Sequence, residues 1–135
     1  MKRLVGGILL LSAAVLLGGC SLSPDEKVSR EQALKQTVDS FVADVVQANW
    51  NDAYRISDGS FPNADRLKTQ ITQSWVNDAT LTSGDIASMA WVTDETAKVK
   101  LTWTFQLGSV QSFSNETFVW GWKGNGWKYR GRALR

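Results

Sequence analysis

The sequence predicts an α+β domain in which N-terminal helices pack on a curved antiparallel sheet. Three patterns carry that expectation. Leu34, Val38, Phe41, Val42, Val45 and Val46 recur at helical spacing and make one apolar stripe. Ala97, Val99, Leu101, Trp103, Phe105 and Leu107 alternate with Lys98, Lys100, Thr102, Thr104 and Gln106, the pattern of a strand with one buried face. Phe118, Trp120 and Trp122 share a face with Trp127 and Tyr129 across Lys123-Gly124-Asn125-Gly126, which is a hairpin signal.

Before the domain stands a different kind of segment. Lys2 and Arg3 precede an uncharged apolar run, Leu4 to Leu17, and small residues follow it, in the order of a secretory signal. The run is about 14 residues, short of the roughly 20 that span a bilayer as a helix. It closes on Leu17-Gly18-Gly19-Cys20, which holds the chain's single cysteine. This closing sequence resembles the lipobox of bacterial lipoproteins. The resemblance implies that residues 1–19 are a signal peptide, that the Cys20 thiol receives diacylglycerol, and that the new amino terminus is acylated, as with palmitate. Ser21 after the lipidated position implies the outer membrane if the cell is Gram-negative. One acyl chain anchors marginally and two or three anchor stably, because each buried CH₂ contributes about 0.8 kcal/mol.

Removing residues 1–19 from 135 leaves 116, enough for one domain. Ser21 to Val28 is polar and reads, with Cys20, as a tether over residues 20–28. Ser29 with Gln32 matches a capping box, which opens a helix of about 18 residues. Asn49-Trp50-Asn51-Asp52 breaks the period, and Asn51 is placed to cap a short helix through Ala53–Ile56. Asp58-Gly59-Ser60 is a turn, and Pro62-Asn63-Ala64-Asp65 opens a third helix carrying Leu67, Ile71 and Trp75. Thr80 to Val92 reads as a strand or bent hairpin with a break at Gly84-Asp85, and Thr93-Asp94-Glu95-Thr96 turns into the alternating strand. Lys128, Arg130 and Arg132 alternate outward at the end. Helices before a curved sheet, with Asn49-Trp50-Asn51-Asp52-Ala53-Tyr54 between the first two, resemble the NTF2-like (cystatin-like cone) superfamily over residues 29–135.

Composition narrows the function. Lys2 and Arg3 account for the formal charge of +2, so the domain is near neutral and nucleic acid is not an expected partner. From Ser21 to Ala97 six Lys/Arg face twelve Asp/Glu; from Lys98 onward seven Lys/Arg face Glu116 alone. The two halves therefore belong on different elements and give a dipolar surface. Lipid on Cys20 leaves no thiol for a disulfide, and the chain has no histidine, the commonest general base and metal ligand.

Enzymes of the NTF2-like superfamily place an acid/base pair inside the cone. Here Val99, Leu101, Trp103, Phe105, Phe118, Trp120, Trp122 and Trp127 are all apolar at inward positions. Asp85, Asp94, Glu95 and Glu116 read as turn or strand-end carboxylates, and Tyr129 shows no partner. No catalytic residue, metal or cofactor is expected. The seven tryptophans admit three uses. They build a core; or Trp103, Trp120, Trp122, Trp127 and Tyr129 line a pocket for an apolar or glycan ligand; or Trp127 joins Lys128, Arg130 and Arg132 in a protein interface. The expectation is a membrane-anchored cell-envelope lipoprotein, non-catalytic, with an envelope protein as partner; the alternative is a carrier of a small ligand.

Overall fold

The computed structural model describes residues 22–133, so Cys20 and the apolar run before it lie outside the described residues. Three helices, α1 (Pro24–Val46), α2 (Trp50–Arg55) and α3 (Ala64–Thr72), precede four strands. These are β1 (Thr80–Thr93), β2 (Thr96–Leu107), β3 (Val110–Lys123) and β4 (Gly126–Arg132), paired antiparallel in the order β1-β2-β3-β4. The α+β arrangement, helices on one face of a meander, is the one expected.

Helix α1 starts earlier than its apolar stripe suggests. Its N-cap is Ser23, not Ser29: the Ser23 hydroxyl accepts from the Glu26 amide, Glu26 reaches back to the Ser23 amide, and Pro24 opens the first turn. That capping box, with Asp25 and Glu26 in the first turn, is the stronger start. Pro24 to Val28, assigned above to a tether, is therefore helix. The far end closes in a Schellman pattern, with Ala48 N–H bonding Val45 and Asn49 N–H bonding Asp44. Ala48 takes φ +60° there, a position that sequence reading assigns to glycine. Helix α2 begins one residue after Asn49, whose side chain makes no cap bond, so Asn51 is helical and not the cap. For α3, Asn63 caps as expected by accepting from the Arg66 amide.

The sheet departs from simple alternation at bulges. Strand β1 is one continuous strand, with register shifts near Thr82, Ala87 and Val92. Each extra residue resets the face, so Leu81, Gly84, Ile86, Met89 and Trp91 all oppose inward residues of β2. Spacings of three and two alternate, and that irregular rhythm is what read as a bent hairpin. Gly84 is not a break; it lies against the Trp103 ring. Strand β3 extends back to Val110, since Gly108 at φ +61° turns the chain between Leu107 and Val110. Lys123 pairs with Gly126, so Gly124-Asn125 is the two-residue loop of the last hairpin, with Gly124 at φ +66°.

Helix α1 buries Leu34, Val38, Phe41, Val42 and Val45 against the sheet, and α3 adds Leu67 and Ile71. The sheet supplies Val99, Leu101, Trp103, Phe105, Phe118, Trp120 and Tyr129, each 2% exposed or less. Leu107, expected inside, lies beyond the helices and is 44% exposed. The free side of β4 is partly closed by Ile56–Asp58: Tyr129 N–H donates to Ile56 C=O, and Asp58 N–H donates to Tyr129 C=O.

A methyl group at position 84 has no room. An added Cβ would meet the Trp103 ring at 2.6 Å and Val42 Cγ1 at 2.8 Å, both in the packed core. Gly84→Ala is expected to cost about 1–3 kcal/mol, read as a lower midpoint in urea. Gly126→Ala, where nothing lies within 4 Å, should leave the midpoint nearly unchanged.

Candidate functional site

Polar groups collect in two places, one inside the domain and one at its N-terminal end. The inner group centres on Glu116. Parity along β3 puts it on the face of Phe118 and Trp120, across from Leu101, where it is 7% exposed. Glu116 is thus an inward carboxylate in mid-strand, not a strand-end one. Its Oε1 accepts from Ser74 Oγ, just past α3, and from Arg132 Nη2 at 3.1 Å.

Arg132 reaches Glu116 because β4 carries an extra residue. Trp120 pairs with Tyr129, but Val119 pairs with Gly131, so Arg130 is the inserted position and Gly131 takes φ +135°. The insertion returns Arg132 to the inner face, opposite Phe118. This corrects the outward placement of Arg132 beside Lys128 and Arg130. Arg130 does face outward, but it lies across Gly121 and pairs with Asp58 at 3.6 Å. The three basic residues therefore do not form one free patch.

Tyr129 has the partner that the sequence did not reveal: its hydroxyl donates to Gln70 Oε1 of α3 at 2.5 Å. Burial pushes the phenol far above its usual range; the Arg132 charge opposes this and Glu116 adds to it. The hydroxyl is a fixed donor, not a base. Phe41 stacks on Tyr129 at 4.8 Å and meets Trp120 edge-on at 5.3 Å, and Trp103 packs on Phe118 at 6.2 Å. Trp103, Trp120 and Tyr129 thus fill the space between sheet and helices. Within the described residues, Glu116 Oε2 and the indole N–H groups of Trp75, Trp103 and Trp120 find no hydrogen-bond partner.

The other two residues proposed for a pocket, Trp122 and Trp127, stand apart from that group. They meet edge-on at 5.5 Å, and Trp91 tilts onto Trp127 at 5.6 Å. The Trp127 indole donates to the Arg30 carbonyl of α1 at 2.8 Å. The Arg30 guanidinium sits 4.4 Å over Trp122 and donates to Asp94 C=O, while Lys27 Nζ stands 5.9 Å over Trp91. Trp127 is buried and Trp91 and Trp122 are half-buried.

No family model and no curated protein matches the chain. The residues that sequence reading missed are Ser74, Gln70, Lys27, Arg30 and Asp94. Glu116 could have been found, because it continues backward the two-residue rhythm of Phe118, Trp120 and Trp122. Ser74 and Gln70 carry no such signal, since only the docking of α3 brings them to the sheet.

One contact joins the acidic and basic halves of the chain. Asp58, from the acidic half, faces Lys123 and Arg130 of the basic half. Burial pushes its carboxyl up, but bonds from Ser60 and the two cations outweigh burial and hold it below its usual 3.8. Its stabilisation is full above 3.8 and is lost as pH falls through the lowered value. Asp58→Asn should therefore be less stable than the parent at pH 7, by no more than about 1 kcal/mol. That difference should shrink in acid, and a gap that persists to the acid transition would contradict the assignment.

The inner ion pair gives a sharper test. Arg132→Met leaves the Glu116 charge buried without its cation, at a cost of about 3 kcal/mol. Adding Glu116→Gln to that variant should restore most of the loss, which a double-mutant cycle in urea will measure.

Proposed function

We propose that this chain is a lipid-anchored cell-envelope protein whose domain is a non-catalytic binding or scaffolding module, on an NTF2-like plan. The observation that carries the reading is the run from Lys2 through Leu17-Gly18-Gly19-Cys20, ending three residues before the Ser23 helix cap. Charge, apolar length, small residues and a single cysteine agree there, and among the described residues no helix is long and apolar enough to cross a membrane. Three helices ahead of an antiparallel sheet, with aromatic side chains between them, support the NTF2-like plan.

Binding at the surface, and not in a cone, is supported by the interior. The rings of Phe41, Trp120 and Tyr129 lie within 4.8–5.5 Å of one another, centre to centre. Of the polar groups that an acid/base reaction would recruit, the Tyr129 hydroxyl is committed to Gln70 and Glu116 Oε1 to Ser74 and Arg132, while Glu116 Oε2 is unpaired. Exposed apolar side chains flank the β2–β3 turn, Val110 at 63% on the Glu116 side of β3 and Phe113 at 66% on the opposite side.

Cys20→Ala tests the anchor. The parent should take up labelled palmitate and sediment with membranes, and the variant should keep residues 1–19 and carry no label. Lipid labelling that survives the substitution would sink the reading.

A further inference from the structure

The first described residue is pinned to one end of the sheet. Leu22 N–H donates to the Asp94 carboxylate at 3.1 Å, in the β1–β2 turn. Cys20 is two residues upstream, and covalent geometry keeps its Cα within about 7 Å of Leu22. An acylated Cys20 would therefore enter the bilayer beside that turn. This end of the domain carries the second cluster described above: Trp91 and Trp122, half-buried, with Lys27 and Arg30 over their rings. Val28 on α1 and Val92 beside the turn are 53% and 52% exposed.

We infer that this end is a membrane-contact surface, with Trp91, Trp122, Lys27 and Arg30 lying in the phospholipid headgroup layer. The inference rests on the lipid-anchor reading and adds an orientation to it. Its chemistry is that of a bilayer interface: indole rings at headgroup depth, and cations on flexible stems that reach phosphate while the stems cover apolar surface. Carboxylates share this end: Glu26 is held by the Ser23 cap and Asp94 by Leu22 N–H, while Asp25 in the first turn of α1 and Glu95 in the β1–β2 turn are exposed. Both charge signs are thus present, which suits a phospholipid headgroup layer better than a polyanion. The Gly108-Ser109 hairpin, at the other end of the sheet, points the exposed Val110 and Phe113 away from the lipid.

The test uses the full-length acylated protein in vesicles of phosphatidylcholine and phosphatidylglycerol that contain brominated phosphatidylcholine. With Cys20 consumed by lipid, a cysteine placed at Val28, Val92 or Val110 is the sole free thiol and accepts a bimane label. All three side chains are more than half exposed, so the labels do not disturb the core. Bimane at Val28→Cys and Val92→Cys should be quenched at least about twofold, and bimane at Val110→Cys should not. Adding Trp91→Gln and Trp122→Gln to Val28→Cys should lower that quenching by about half. A vesicle-bound protein in which all three labels are equally unquenched overturns the surface and leaves the anchor standing. A protein that keeps a free thiol at Cys20 and stays in solution overturns both.

Discussion

Phe41 holds α1 to the sheet, and most of the molecule's geometry follows from where it sits. Its ring lies face to face with Tyr129 and edge-on to Trp120, while Phe61 covers the other side of Tyr129 at 5.9 Å. Such ring pairs contribute about 0.5–1.5 kcal/mol each beyond the area they bury. They also fix the helix in rotation and along its axis. Arg30 is eleven residues earlier, about 16 Å along the helix. With Phe41 seated, that distance brings Arg30 to Trp122 and its carbonyl to the Trp127 indole. The core thus determines which side chains gather at the N-terminal end.

A single inserted residue in β4 has comparable reach. Without the bulge at Arg130, Gly131 would face the core and Arg132 would face solvent, and Glu116 would be a buried carboxylate without its cation. With it, the carboxylate gains a charge-assisted bond, and Arg130 is left to meet Asp58. Sequence alternation alone cannot see this, because a bulge preserves composition and changes only the count. Gly131 was the one hint, as a glycine inside a strand pattern.

What was legible follows the same division. The α1 stripe, the inward side chains of β2 from Ala97 to Phe105 and the Trp120–Tyr129 hairpin were readable because local periodicity and burial agree there. The early start of α1 was missed because Pro24 to Ser29 are all exposed, so no apolar period marks them, although the Ser23-Pro24-Asp25-Glu26 cap was present. The first part of β3 was missed because Gln111 to Asn115 are polar apart from Phe113; backbone pairing to β2 makes it a strand. Of the aromatic end, the Trp122–Trp127 pair was legible from the hairpin, and the arrival of Trp91, Lys27 and Arg30 was not. Trp91, Trp122 and Trp127 come from three strands, and only the meander places them together under α1.

Five of the seven tryptophans show how differently the indole nitrogen can be used. Trp103 and Trp120 are wholly buried with N–H groups unpaired, and each such group costs about 1–3 kcal/mol. That cost is sustained because each ring also fills a volume no smaller side chain would fill, in a domain with no disulfide to supplement its packing. Trp127 avoids the cost by donating to Arg30. Trp91 and Trp122 are buried only in part, and each has a cation above its ring. A core requires none of these last features. They are the properties of rings at a boundary, one side packed on protein and the other turned outward, where α1 begins and the chain leads back to Cys20.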